Sequence, residues 1–419
     1  MNLQTITRGR ISSVFRSGLV WLAFAKALSA ACILIQAAVF SKFLPESEVQ
    51  TAFYFLAVVS LIGQAAMAVP VILVSQYAWL HDDLRPRKYL SAFVLFLGSL
   101  VVLASAWLIL PMTDASIPIA ALLAATACVA AIPNLFSVER FALGDVKSGA
   151  VFGVLNVLLP QLLASIAAIS QGSALAWIGG LAAGHLSALV LIGFTRAVRK
   201  SHKRPQGKRD PIKVNLALIG STFAWLLFVW ALPNLPRLAL ADAEASVIAA
   251  QLLVIASISF AVSNAFETMV AQLRRGRWLA WFEQEHSADE ISAFVARESR
   301  WTSAAAAIVV GPTAIALFGA GHFILFADNF AVPILVIALL VVCDMLRSLC
   351  SISYLIAEAG RAQARLSPWI ALTTLATGLL LAQLTVANLQ QTFMGVAIIL
   401  LLCCIFLGIR TARWTTATT

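Results

Sequence analysis

Charged side chains stand inside several apolar segments of this sequence, and they are the residues best suited to chemistry. Arg237 and Arg347 interrupt such segments, and Lys26 lies nine residues inside the first one. A cation held there can bind an anionic group, and Arg can form bidentate hydrogen bonds to phosphate. Asp344 and Glu267 are the acidic counterparts, able to carry a proton or bind a cation.

Each of these residues also has a simpler interpretation. The long side chain of Lys26 can extend to the inner membrane surface, and Arg237 lies near the outer end of its segment, where it can do the same. Asp344 and Arg347 are one helical turn apart and can form a structural pair, and Glu267 fits an interfacial position. Since the cations outnumber the clearly intramembrane anions, the sequence favours an anionic ligand and predicts a cationic cavity lined by Lys26, Arg237 and Arg347.

Composition places these residues in a membrane. Of the 419 residues, 61% are hydrophobic and only 11% charged, with a mean hydropathy of +0.92. So few charges cannot cover a soluble protein of this size. The apolar segments are about 20 residues long, which suits transmembrane helices rather than the strands of a barrel. The net charge of +10 comes from short basic loops, so we expect no binding of nucleic acid.

Twelve spans are predicted, in an all-α polytopic fold. They are 17–40, 52–79, 89–110, 117–137, 149–170, 175–195, 214–240, 246–270, 301–320, 330–356, 368–387 and 392–409. With the N-terminus inside, 25 of the 29 Lys and Arg residues fall in cytoplasmic segments and one in an external loop. The positive-inside rule therefore predicts cytoplasmic N and C termini and a multi-pass protein of the bacterial inner membrane.

The chain divides into two halves of six helices. We predict one bundle over 1–200, a basic cytoplasmic linker over 201–213 and a second bundle over 214–419, because KSHKRPQGKRDP (200–211) is basic and punctuated by Pro and Gly. Paired six-helix halves are a common plan for transporters. In the loop 271–300, the sequence Ser287-Ala-Asp-Glu290 is a capping box, and we expect a helix there that lies on the inner leaflet.

Nothing in the sequence points to catalysis. There is no Walker A sequence, and none of the six cysteines has metal-ligand spacing. We therefore expect neither an enzyme, nor a metal, nor a cofactor. The predicted external loops of about 4–11 residues are too short to build the active site of a glycan polymerase or ligase.

Three stretches resemble the Wzx-type polysaccharide flippases of the multidrug/oligosaccharidyl-lipid/polysaccharide (MOP) exporter superfamily. They are Arg16-Ser-Gly-Leu, SKFLPESEVQTAFYFL (41–56) and RFALGDVKSGAVFGVLNVLLPQLL (140–163). The resemblance implies a MATE-like fold of two six-helix bundles and alternating access driven by an ion gradient. It implies an undecaprenyl-diphosphate-linked oligosaccharide as substrate, moved from the inner to the outer leaflet, with polysaccharide polymerases and glycosyltransferases as pathway partners.

Three alternatives stay open at this point. A multidrug efflux antiporter of the same superfamily would want acidic residues in its cavity. A membrane glycan polymerase or ligase would want a large external loop. A non-transporting scaffold would have sealed helix interfaces without a polar cavity.

Overall fold

In a computed structural model of this chain, the described residues are 3–77, 117–142, 145–198, 216–240, 246–282, 284, 286–326, 329–360 and 363–415. They form α1 (Leu3–Phe43), α2 (Glu46–Tyr77), α3 (Ile117–Ala142), α4 (Val146–Gln171), α5 (Ala174–Val198), α6 (Leu216–Ala239), α7 (Val247–Phe282), α8 (Ala288–Ala320), α9 (Ile334–Ala359), α10 (Gln363–Leu381) and α11 (Leu389–Thr415). A π-helical turn, Gly321–Leu325, extends α8, and a short 3-10 helix, Val386–Asn388, precedes α11. The predicted span 89–110 and the predicted linker 201–213 lie outside the described residues.

Within the described residues, seven helical stretches are long and apolar enough to cross a membrane. They are Pro118–Ser137, Lys147–Gln171, Ala174–Thr195, Val247–Ala271, Ala288–Leu325, Ile334–Ala359 and Val386–Thr411. Each exceeds or approaches the roughly 20 residues that a transmembrane helix requires. The chain is therefore an all-helical, multi-pass membrane protein. The count of twelve spans and the cytoplasmic termini stay predictions.

The described residues group into two compact units. The first consists of the described residues of Met1–Cys32, Ala65–Gln171 and Leu175–Lys213, and the second of those of Ile33–Gln64, Gly172–Ala174 and Val214–Thr419. The adjoining ends of α1 and α2 thus belong to the second unit. There Gln50 donates from Nε2 to the Leu240 carbonyl at 3.1 Å, and Trp230 donates from Nε1 to the Ala57 carbonyl at 3.2 Å.

In the first unit, α4 and α5 approach each other closely at two glycines. A Cβ atom at Gly184 would lie 2.2 Å from Cα of Pro160, and one at Gly180 would lie 2.5 Å from the Leu163 carbonyl oxygen. Small residues four apart let helix backbones approach in membranes. This close packing is what the Gly180/Gly184 spacing makes possible.

The prediction of a separate surface helix within 271–300 is wrong. The Ser287 capping box is present, with Glu290 N donating to Ser287 Oγ at 3.3 Å and Ser287 N donating to Glu290 Oε2 at 2.8 Å. It starts α8, which continues without interruption to Ala320. The apolar side chains of its first turns, Ile291 and Phe294, join a buried cluster with side chains of α7 and α9. Their apolar face is therefore covered by neighbouring helices rather than by lipid.

Candidate functional site

The second unit contains a line of buried and half-buried polar side chains along α6, α7 and α9, which we call the polar seam. Its members are Ser221, Trp225, Asn234 and Arg237 on α6; Ser257, Ser259, Ser263 and Glu267 on α7; and Asp344, Arg347, Ser348, Ser351 and Tyr354 on α9. On α9, Asp344, Arg347, Ser351 and Tyr354 recur every three or four residues and so share one face of the helix, with Ser348 beside Arg347. The sequence therefore places a polar stripe on a helix that is otherwise apolar.

Arg347 occupies the middle of the polar seam, and its side chain is 0% exposed. Its Nη1 donates to Glu267 Oε2 at 3.1 Å, while Nη2 donates to Ser348 Oγ at 3.0 Å and to Ser263 Oγ at 3.3 Å. The guanidinium also stands over the Phe260 ring, 5.1 Å from its centroid. A buried charge is tolerated only when it is paired and hydrogen-bonded. Arg347 meets both conditions.

The direct pair that the spacing of Asp344 and Arg347 permits is not formed. Arg347 forms its ion pair with Glu267 on α7, and Asp344 accepts a hydrogen bond of 2.5 Å from Ser259 Oγ. Asp344 is therefore a buried carboxylate whose hydrogen-bond donor is a serine, in the same polar seam as Arg237 and Arg347.

Arg237 is also buried, at 6% exposed. Its Nη1 donates to Asn234 Oδ1 at 2.7 Å and its Nη2 to Ser257 Oγ at 2.9 Å. Its guanidinium lies 5.2 Å from the centroid of the Phe53 ring. These contacts link α6 to α7 and to the part of α2 that belongs to this unit.

Two prolines precede Arg237 without ending the helix. Pro233 and Pro236 lie inside α6, which runs to Ala239. Each proline removes one backbone donor. The side chain of Asn234 donates from Nδ2 to the Trp230 carbonyl at 2.8 Å, which adds a bond in this region.

The part of the polar seam beyond Glu267 is aromatic as well as polar. Ser351 Oγ donates to Glu267 Oε1 at 2.5 Å, and Trp225 Nε1 donates to Ser351 Oγ at 3.0 Å. The Trp225 and Tyr354 rings stack with centroids 5.2 Å apart, and the Tyr354 hydroxyl bonds with Ser221 Oγ at 3.1 Å. Both carboxylate oxygens of Glu267 are thus engaged. Glu267 is therefore a bound carboxylate that joins α7 to α9.

The charge balance differs from the one expected from the sequence. Two arginines, Arg237 and Arg347, face two carboxylates, Asp344 and Glu267, so the polar seam is neutral overall when all four groups are ionised. Glu267, which the sequence did not count as clearly intramembrane, is a full partner of Arg347. Arg237 and Arg347 are buried here, and their role in lining a cationic cavity stays a prediction. The side chain of Lys26 lies outside the described part of the chain.

The polar seam retains hydrogen-bonding capacity. The Nε atoms of Arg237 and Arg347 are buried and, among the described residues, have no hydrogen-bond partner. A carboxylate in such surroundings can accept a proton, and a guanidinium whose partner is neutralised can turn to another acceptor. The arrangement is therefore suited to exchanging one buried ion pair for another.

The first unit holds a second polar contact that the sequence reasoning did not connect. His185 Nδ1 lies 3.0 Å from Asn156 Oδ1. Asn156 stands one turn before Pro160 on α4, and His185 follows Gly184 at the close approach of α4 and α5. The sequence signal was the combination of Asn-x-x-x-Pro on one helix with Gly-His on the next. Only the packing shows that they meet.

Comparison with known proteins supports the fold. No protein-family model matches the chain, and no curated protein matches it in sequence. Among solved structures, a MATE transporter in the straight conformation aligns with a TM-score of 0.58 and 13% identity over 96% of both chains. An inward-facing multidrug resistance MATE family transporter of the MOP superfamily aligns with a TM-score of 0.54 and 12% identity, over 93% of this chain and 95% of the other.

A third similar structure is a MOP superfamily transporter from Pyrococcus furiosus, whose description refers to a binding pocket of reverse polarity and a different function. It aligns with a TM-score of 0.54 and 14% identity over 96% of both chains. The chain therefore has the fold of MATE transporters. At such low identity the likeness concerns the fold alone and assigns no role to individual residues.

Proposed function

We propose that this protein is a membrane transporter that moves an undecaprenyl-diphosphate-linked oligosaccharide from the inner to the outer leaflet of the bacterial inner membrane by alternating access. The MATE-like fold supports transport. The stretches 41–56 and 140–163, which resemble Wzx-type flippases, support the substrate class. The observation that carries the mechanism is that Arg347 is held by a carboxylate inside the bundle.

Carboxylates and phosphates compete for the same guanidinium donors. We propose that protonation or cation binding at Glu267 and Asp344 weakens their hold on Arg347 and Arg237. The guanidinium groups then bind the diphosphate, with Lys26 as a further contact. Because Arg347 is fully buried here, this exchange requires α7 and α9 to separate. An ion gradient thereby drives the substrate cycle, and the polymerase and glycosyltransferases of the pathway act before and after it.

The test is a leaflet assay with the purified protein in proteoliposomes. Fluorescent undecaprenyl-diphosphate oligosaccharide is incorporated, and a membrane-impermeant glycosidase reports the fraction exposed on each side over time. We expect wild-type protein to redistribute the lipid when an ion gradient is imposed. Arg347→Gln should reduce this rate at least tenfold, which corresponds to about 1.4 kcal/mol or more of lost interaction.

The matched control is Arg300→Gln, which removes an exposed arginine from α8. It should transport at the wild-type rate. If wild-type protein leaves the lipid distribution unchanged, or if Arg347→Gln transports normally, the proposed function is wrong. The amount of each variant in the vesicles is compared by gel, and its folding by thermal unfolding. These controls distinguish a loss of protein from a loss of transport activity.

The second candidate is efflux of cationic drugs. It is favoured by one observation: the polar seam is neutral rather than cationic, so it offers two carboxylates as readily as two guanidiniums. In the same vesicles, gradient-driven movement of a lipophilic cationic dye that is lost in Asp344→Asn, with no movement of the lipid, would establish this alternative.

A further inference from the structure

The helical hairpin of α10 and α11 carries all the charge of its described residues at one end. Arg365 stands near the start of α10, and Arg410 and Arg413 stand near the end of α11. The sequence has no Asp or Glu anywhere between 363 and 419, and the connection between the two helices, 382–388, is uncharged. The positive-inside pattern predicts that the arginine-bearing end is cytoplasmic.

Arg365 and Arg410 both flank a ring contact between the two helices. Trp369 and Phe406 meet with ring centroids 4.3 Å apart. Arg365 is one turn before Trp369, and Arg410 is one turn after Phe406, with its guanidinium 5.2 Å from the Phe406 centroid. Since consecutive spans joined by a short connection run antiparallel, both arginines lie on the same side of this aromatic contact. They lie one helical turn closer to the predicted cytoplasmic surface. We call Arg365, Arg410 and Trp369 together the arginine site.

On each helix, a stripe of exposed apolar side chains continues from the arginine site. On α10 the exposed large apolar side chains after Trp369 are Leu372, Leu375 and Leu379, and on α11 those before Arg410 are Ile409, Ile405, Leu402, Leu401, Ile398 and Met394. On α10 these positions recur every three or four residues, so they share one helical face. Trp369 itself is 39% exposed, at the level where Trp favours the interface between headgroups and acyl chains.

We infer that the arginine site binds an anionic phospholipid of the inner leaflet. The headgroup phosphate bonds to Arg365 and Arg410, the Trp369 ring lies at the glycerol level, and the acyl chains follow the two apolar stripes. The charge complementarity is direct, because each guanidinium offers a planar pair of donors to a phosphate. Both arginines make further interactions, but a guanidinium has five N–H donors and can serve several acceptors.

The acidic residue nearest to this hairpin in the sequence is Glu358, at the end of α9, which is half-buried and has interactions of its own. Arg365 is exposed and therefore accessible to a headgroup. The site lies on the membrane-facing surface of the second unit and does not depend on the proposed transport function.

The experiment is native mass spectrometry of the detergent-purified protein titrated with phosphatidylglycerol and, separately, with phosphatidylcholine of the same acyl chains. Wild-type protein should prefer phosphatidylglycerol. Arg365→Gln and Arg410→Gln should each reduce this preference about fivefold, and the double variant roughly 25-fold, the size expected for basic side chains at an anionic surface.

The matched control is Arg297→Gln with Arg300→Gln, which removes two exposed arginines from the first turns of α8. It should keep the wild-type preference. An equal loss in the control means that any surface charge suffices and overturns the specific site, as does an unchanged preference in the Arg365/Arg410 variant. If undecaprenyl diphosphate displaces phosphatidylglycerol at equimolar amounts, or inorganic phosphate displaces it, the occupant is not a phospholipid and the inference is also wrong.

Lysine variants guard against misfolding. Arg365→Lys with Arg410→Lys keeps both charges but loses the planar pair of donors. It should retain more of the preference than the glutamine variant, at an unchanged thermal transition. A lysine variant that loses as much as the glutamine variant would contradict binding through charge.

Discussion

Arg347 and Glu267 lie 80 residues apart in the sequence, yet Arg347 Nη1 and Glu267 Oε2 are 3.1 Å apart inside the second unit. The pair joins α9 to α7, and the side chains are only 0% and 10% exposed. Ser351 completes the arrangement by donating to the other oxygen of Glu267. The two charges are therefore interdependent, and so are the helices that carry them.

The first prediction concerns stability. Replacing Glu267 by Gln leaves the Arg347 charge buried without a counter-charge, and we expect the free energy of unfolding to fall by about 3–5 kcal/mol. The measurement is chemical denaturation in mixed micelles. Combining Glu267→Gln with Arg347→Met removes both charges, so the double variant should lose about 1–3 kcal/mol less than the sum of the single variants. Simple additivity would show that the two residues are not coupled.

A second prediction concerns ion coupling under the proposed function. Asp344→Asn keeps the size of the side chain and its capacity to accept the hydrogen bond from Ser259, so the protein should stay folded. We expect transport in proteoliposomes to lose its response to an imposed pH gradient, because the amide cannot take up a proton. Ser259→Ala, which spares the carboxylate, should keep the response. A normal pH-driven rate in Asp344→Asn would remove Asp344 from the coupling site.

A third prediction addresses the close approach of α4 and α5. Gly184→Ala places a Cβ atom 2.2 Å from the Pro160 backbone, and backbone cannot move aside as a flexible side chain can. We expect a loss of about 1–3 kcal/mol or more in the free energy of unfolding. Gly193→Ala on the same helix is the control, since a Cβ atom there meets nothing within 4 Å. The control should be neutral, or more stable by up to about 1 kcal/mol. Equal effects of the two variants would show that this crossing is looser than described.

The fourth prediction tests the start of α8. Ser287→Ala removes the side chain that accepts from Glu290 N, and loss of such a cap costs about 1 kcal/mol. Hydrogen exchange of the amides of the first turn should accelerate roughly fivefold, the equivalent of that energy. Ser292→Ala, an exposed position within α8, should leave exchange unchanged. Similar exchange in wild type and Ser287→Ala would mean that tertiary packing alone holds this turn.

The periodic and compositional features of this chain were predictable from the sequence because they are local. Long apolar segments form helices that lipid can surround. Ser287 and Glu290, three residues apart, form the cap of a helix, and Gly180 and Gly184 allow another helix to approach closely. The extent of α8 was not predictable from such rules. Its first turns have the apolar face of a surface helix, and only the presence of α7 and α9 against that face decides where it lies.

The polar seam shows the same division. The sequence by itself determined that Arg237, Asp344 and Arg347 stand in apolar segments and must find partners, since an isolated charge is too costly there. Only the tertiary structure decided which partners they find. Asp344 and Arg347 are neighbours along α9, but Glu267 on α7 forms the ion pair with Arg347, because helix packing brings its carboxylate within reach of Nη1 and supplies Ser351 for the remaining oxygen.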